Sequence, residues 1–189
     1  MRAGCTGPPN ALSFKSDSPA LGRLVEEDWG LSTSELRHRT AVGWREWLTL
    51  PELGIPALKA KVDTGARTSA LHAYRVESFH HNGALWVRFA IHPLRKRDDV
   101  AIECSAAVVD ERMVRDSGGH PEKRLVIVTP IRLGDQEWPI EITLTNRETM
   151  LFRMLLGRTA MSGRLLVVPD ASYLSGKALA TAYRSKKSQ

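Results

Sequence analysis

The chain has 189 residues, 42% of them hydrophobic and 25% charged, with a formal net charge of +6. That suffices for one globular domain with a real core, and the mixture is too ordinary for a wholly disordered or membrane-embedded protein. No apolar run approaches the roughly 20 residues a membrane helix needs, the N-terminus lacks a secretory-type apolar segment, and Cys5 and Cys104 are too few for a disulfide framework, so a cytoplasmic protein is expected.

The excess charge is unevenly placed. Residues 1–40 carry five basic and five acidic side chains, residues 41–176 carry 18 and 16, and residues 177–189 carry four basic and none acidic. A short basic tail with a single aromatic, Tyr183, reads as a solvated end, so neither nucleic acid nor a membrane is expected as a partner.

In chain order, residues 1–40 are rich in Gly, Pro, Ser and charge and read as a poorly ordered extension, with Ser32 or Ser34 placed to cap a short turn of helix. From residue 41 to 176 short β-branched and aromatic runs alternate with turn signals, which is an all-β pattern. The expected strands are VGWREWLTL, PALKAKVD, TSALHAYRVESFH, LWVRFAIHP, AIECSAAVVDERMV, KRLVIVTPIRL, WPIEITLTN and LLVVPD. Asn82-Gly83 marks a two-residue hairpin and LGDQEW a second. In EWPIEITLT, Trp138, Ile140, Ile142 and Leu144 share one face while Glu137, Glu141 and Thr143 share the other, as the half-buried strand of a small closed barrel requires. One short C-terminal helix is expected over NRETMLFRMLLGR, capped by Asn146 with Glu148 and Thr149 in its first turn. Residues 177–189 form the basic tail.

Common catalytic constellations fail one by one. There is no G-x-S-x-G elbow, and Cys104 lies in an apolar strand where an inert buried thiol is the expected state. The six histidines form no H-E-x-x-H, His80 and His81 would point to opposite faces of a strand, and no zinc set emerges. SGKA at 175–178 lacks the rest of a P-loop. No metal and no cofactor is expected.

VDTGA remains. The apolar strand ALKAKV delivers Asp63 to the end of a rigid element, Thr64 can hydrogen-bond across a turn, and Gly65 permits close backbone approach. Alone, Asp-x-Gly is common turn chemistry. Far downstream, MLLGRTAM supplies two leucines before Gly157-Arg158, and the two segments together resemble the signatures of retropepsin-like aspartic proteases. With GWREWLTLPELGIPALKAKVDTGARTSALHA, VVDERMVRDSGGH, WPIEITLTNR and FRMLLGRTAM, residues 42–175 resemble the retropepsin-like proteases associated with RimK-type glutamate ligases, often labelled ATP-dependent zinc proteases. Neither a zinc-protease motif nor an ATP site is present in these residues.

The resemblance implies a half-size acid-protease barrel that is active as a homodimer, with Asp63 facing its symmetry mate and sharing one proton with it. It implies that Thr64 braces the paired turns, that Gly65 and Ala66 line the substrate floor, that Leu155, Leu156 and Gly157 back the aspartate loop, and that Arg158 ties helix to loop. A flap would fall in ERMVRDSGGHPEKR. Retropepsins commonly continue D-T-G-A with Asp, whereas this chain continues with Arg67. With Lys59, Lys61 and His72 near it in sequence, Arg67 suits recognition of carboxylates, unless it pairs with a local Asp or Glu. The expected substrate is therefore an acidic peptide such as a glutamate tail. The alternatives are a non-catalytic acidic-peptide binding module on the same fold, and a single-subunit protease using Asp110 or Asp116 as the second acid.

Overall fold

The computed structural model describes residues 32–95, 97–115, 119, 121–146 and 151–183. Two compact units divide after His38. Of the first, the described part is helix α1 (Thr33–Arg37), opened by a capping box in which Glu35 N donates to Ser32 Oγ and Ser32 N to Glu35 Oε2.

The second unit is all-β. Its strands are β1 (Thr40–Gly43), β2 (Arg45–Leu50), β3 (Ile55–Val62), β4 (Ser69–His72), β5 (Tyr74–His81), β6 (Ala84–Ile91), β7 (Ile102–Arg115), β8 (Pro121–Leu133), β9 (Gln136–Thr145), β10 (Met154–Leu156) and β11 (Leu165–Val168). The larger sheet runs β2-β3-β10-β4-β9-β8-β7-β6-β5, and a further pairing of Thr49 with Arg132 joins β2 to β8. Six strands thus form a twisted ring, from which β7, β6 and β5 extend as an antiparallel sheet. β1 and β11 pair separately, in parallel.

The core fills the ring because alternate residues point inward. Leu48, Leu58, Leu71, Ile127, Ile142 and Met154 are all fully buried. β9 follows its predicted alternation, with Trp138, Ile140, Ile142 and Leu144 buried. Both hairpins form where turn chemistry places them. Asn82 and Gly83 take φ of 49° and 77°, and Gly134 takes 58°.

Three boundaries differ from the sequence pattern. VGWREWLTL breaks at Trp44 into β1 and β2, which join different sheets. TSALHAYRVESFH also divides: Ala73 N still donates to Thr145 O, but Arg75 then takes φ 51°, and β5 leaves the ring for its far edge. The expected helix over NRETMLFRMLLGR is corrected. Residues 147–150 lie outside the described residues, Leu151–Arg153 are bends, Met154–Leu156 are strand β10, and helix α2 occupies only Arg158–Met161. An apolar run is ambiguous between buried strand and helix. Here β3 and β4 flank Met154–Leu156 and offer ladder partners on both sides.

Candidate active site

β3 ends at Val62, and the next residue, Asp63, continues its parallel pairing: Asp63 N donates to Leu156 O at 2.9 Å. The aspartate is half-buried. Its Oδ1 accepts from Gly65 N at 3.1 Å and Ala66 N at 3.2 Å, so the turn holds one carboxylate oxygen in place. Oδ2 has no hydrogen-bond partner among the described residues. A Cβ at position 65 would sit 3.3 Å from Oδ1, closer than side chains comfortably pack.

The second segment locks this loop from behind. Arg158 Nη1 donates to Thr64 O and Gly65 O, both at 3.0 Å, and Arg158 N donates to Ala66 O at 2.9 Å. Thr159 donates to Arg67 O through both N and Oγ1. Gly157 N donates to the buried Ser69 Oγ at 3.1 Å. A Cβ on Gly157 would lie 2.5 Å from Thr68 C, so only glycine lets the two backbones cross there. Asp63, Thr64, Gly65, Ala66, Arg67, Gly157 and Arg158 are therefore brought together, although the sequence holds them in two distant groups. The Thr64 hydroxyl is exposed and bonds to no described residue.

In front of the loop lies a cleft of about 990 Å³. Its floor follows one transverse row of the sheet, Lys61, Leu155, Ala70 and Thr143, which are register partners on β3, β10, β4 and β9. Its far wall is the β7–β8 hairpin, where Arg112 pairs with Arg124 and pairing runs on to Arg115 and Pro121. The hairpin is the segment predicted as a flap; residues 116–118 and 120 at its tip lie outside the described residues.

Electrostatically the cleft is cationic. Lys61, Arg67, Arg112, Arg115 and Arg124 line it, against the carboxylates Asp63 and Glu141. Glu141 is gripped by Arg112 through Nη1 at 2.6 Å and Nη2 at 3.1 Å. These bonds hold its pKa below the usual carboxylate value, with a small further contribution from the Arg67 charge. Asp110 is likewise held low, chiefly by its hydrogen bond from Arg112 Nε. Both carboxylates are thus stabilised as anions by the same guanidinium, whose own pKa they raise. Asp116 lies outside the described residues.

The cluster of cations expected around Arg67 is only partly formed. Lys61 and Arg67 share the cleft, and Arg67 is exposed with no ion pair to a described residue. Lys59 instead points its ammonium over the Trp47 ring at 5.1 Å, beside a separate cavity, and His72 is buried on β4. Period-two alternation would carry Lys59 and Lys61 to one side, but the cleft reaches only the end of β3.

Sequence reasoning missed Arg112 and Arg124, and it placed Glu141 on the outer face of β9 without a role. Their meeting depends on the register of β7, β8 and β9, which the hairpin signal at LGDQEW does not by itself set. Cys104 is buried, donates to Leu53 O, and has its thiol pKa pushed up to about 11 by burial. Among the described residues no three His, Cys, Asp or Glu side chains gather into a metal-binding group, so these residues offer no fit for the zinc in the family label. No described helix is long and apolar enough to cross a membrane.

A ring of strands that presents one aspartate in a D-T-G-A turn, braced by a later Leu-Leu-Gly-Arg, defines the retropepsin-like class of aspartic-endopeptidase domain. The family described as RimB-like, retropepsin-like aspartic endopeptidase RimB, matches residues 41–178, and the chain belongs to that family. It is 46% identical over 136 residues to a Shewanella pealeana protein named probable alpha-L-glutamate ligase, and 48% identical over 128 residues to a protein of the same name from Desulfotalea psychrophila. These matches cover 72% and 68% of this chain but only 30% and 28% of those relatives. Its fold is similar to the crystal structure of a Legionella pneumophila protein of unknown function, with TM-score 0.62 and 28% identity over 72% of this chain and 98% of that one.

Proposed function

We propose that the chain is an aspartic peptidase acting as a homodimer, in which Asp63 activates water to hydrolyse peptide bonds in acidic, glutamate-rich segments. The observation that carries this reading is the state of the Asp63 carboxylate: Oδ1 is fixed by two backbone N–H groups, while Oδ2 has no described partner in a residue that lines the cleft.

An acid dyad needs a second carboxylate that can share a proton. Glu141 and Asp110 are poor partners because Arg112 holds both as anions. A second copy of Asp63 supplies the missing group, and the exposed Thr64 hydroxyl is available to bridge the paired loops. Two carboxylates about 3 Å apart hold one proton between them. The ionised member takes a proton from water as its oxygen attacks the peptide carbonyl carbon, and the protonated member donates to the carbonyl oxygen. Collapse of the tetrahedral intermediate then breaks the C–N bond as the amine is protonated. Excess cleft cations favour acidic segments, and likeness to part of proteins named glutamate ligases supports glutamate tails as substrates.

The test is cleavage of a glutamate-rich peptide by the intact chain and by Asp63→Asn, with particle mass measured for both. The variant should remain a folded dimer and lose cleavage; retained cleavage would rule Asp63 out. Chelator and nucleotide, added separately, should leave the rate unchanged, and inhibition by chelator would defeat the metal-free mechanism. The same cationic cleft would serve a non-catalytic acidic-peptide binding module, which predicts binding without any cleavage.

A further inference from the structure

A second cavity, of about 400 Å³, opens beside Lys59, with Trp44, Trp47 and Phe152 among its walls. The cations Arg45, Lys59, Arg95, Arg97 and Arg153 line it, and no described carboxylate does. Arg97 is paired with Asp99. Arg45 and Lys59 have aromatic rings in place of counter-ions: the Arg45 guanidinium lies over Trp44 at 4.4 Å and Tyr173 at 4.9 Å, and Lys59 Nζ over Trp47 at 5.1 Å and Tyr173 at 5.7 Å. Lys177 Nζ meets the same Tyr173 ring at 5.5 Å. Glu46, between Arg45 and Trp47 in sequence, is fully buried and taken up by donors of residues 43, 174 and 175. Arg45 and Lys59 are only half-buried, so both side chains reach solvent. The two hollows adjoin. Arg45 is the register partner of Lys61, and Trp47 of Lys59, and directly opposed residues of antiparallel strands share a face. The cleft-floor row Thr143, Ala70, Leu155 and Lys61 therefore runs on to Arg45, one strand spacing of about 5 Å further.

We infer that this cavity is an acidic-peptide docking site, which receives the stretch of a glutamate-rich chain that flanks the segment held in the Asp63 cleft. The inference rests on the cleft being the peptide site. Three cations around one tyrosine ring repel one another, and an anion among them relieves that repulsion. A hollow with charges of one sign and apolar walls focuses their field more than an open surface does. The cations are spread along a continuation of the cleft floor instead of converging on one point, which matches a chain of repeated carboxylates. An extended peptide advances about 3.3 Å per residue, so roughly two residues carry it from Lys61 to Arg45. There the glutamate methylenes can lie against the indole walls while the carboxylates meet guanidinium and ammonium donors. No glycine lines the cavity, so it lacks the backbone nest that typically cradles phosphate.

The experiment is a fluorescence-anisotropy titration of fluorescein-labelled triglutamate and decaglutamate with the full chain carrying Asp63→Asn, so that cleavage does not disturb the reading. The short peptide can fill one hollow and the long one both, so decaglutamate should bind about 100-fold more tightly. Adding Arg45→Gln or Lys59→Gln should cut that ratio about tenfold, the loss of one charge-assisted contact. Arg88→Gln removes the same charge from an exposed side chain that lines neither hollow, and it should preserve the ratio. Absence of decaglutamate binding, equal affinity for both peptides, an undiminished ratio in Arg45→Gln and Lys59→Gln, or an equal fall in Arg88→Gln would each overturn the assignment. Tighter binding of inorganic tripolyphosphate than of decaglutamate, lost in Lys59→Gln, would give the cavity to phosphate and overturn it too. Lys59→Gln decides the matter should Arg45→Gln fail to fold, and the length comparison needs no change in the cavity at all. A ratio that falls in the cavity variants, with no cleavage by the Asp63 protein, would sink the peptidase reading and leave the docking site standing. Cleavage with an undiminished ratio would do the opposite.

Discussion

Glu46 and Asp63 each capture two or more backbone N–H groups, and they end in opposite states. Glu46, on β2, is fully buried: Oε1 accepts from Gly43 N at 2.7 Å and Leu174 N at 2.8 Å, while Oε2 accepts from Ser175 Oγ at 2.6 Å and Ser175 N at 3.3 Å. It pins residues 174–175 to the start of the ring. Asp63 uses the same chemistry on Oδ1 alone, in a half-exposed turn beside a cleft. A carboxylate whose two oxygens are both saturated is a structural tie, whereas one held by a single oxygen keeps lone pairs for water or a shared proton. The difference is in the number of donors that tertiary structure delivers.

Exchanging the functions of the two groups is the strongest test of that contrast. Asp63→Asn keeps an oxygen to accept from Gly65 and Ala66, so cleavage should fall by about a thousandfold with little change in stability. Glu46→Gln should do the reverse: in either orientation its amide NH₂ would face a backbone N–H, of Ser175 or of Gly43 and Leu174, costing about 1–3 kcal/mol in urea unfolding. An unfolded Asp63→Asn or a fully stable Glu46→Gln would break the comparison.

Smaller effects sharpen it. Gly157→Ala should cost about 1–3 kcal/mol through the clash with the Thr68 backbone, and because it displaces the loop holding Asp63 it should also slow cleavage, unlike Glu46→Gln. Glu141 has its folded pKa depressed by Arg112, so its stabilisation is present above the unfolded value of about 4.3 and is lost as pH falls through the lower folded value. Thermal melts from neutral to acidic pH should therefore show a gap between the wild type and Glu141→Gln that closes in acid. Since the pair is partly exposed, that gap should stay below about 1 kcal/mol. Least consequential is Cys104, whose thiol pKa near 11 should keep it unlabelled by iodoacetamide in the native protein and labelled once urea unfolds it.

Residues 61–69 show how much could be read locally. The strand-to-turn transition at Asp63, the glycine beside it and the later Gly157-Arg158 are short patterns with their own steric logic, and Asn82-Gly83 likewise announces its turn. β9 revealed its inward face by alternation. β10 did not, because MLLG reads equally as helix or strand until β3 and β4 supply ladders on either side. The sequence by itself determined an all-β domain, the two segments of the aspartate site and the rigid turn that holds Asp63. Only the tertiary structure decided that Glu46 would be saturated by donors from residues 43 and 174–175, that Arg112 would grip Glu141 two strands away, and that Arg124 would be buried beside Glu122. Those outcomes depend on register and on contacts remote in sequence: Glu46 meets residues 174–175 at the far end of the domain, and Arg112 reaches Glu141 only through the register that β7, β8 and β9 adopt.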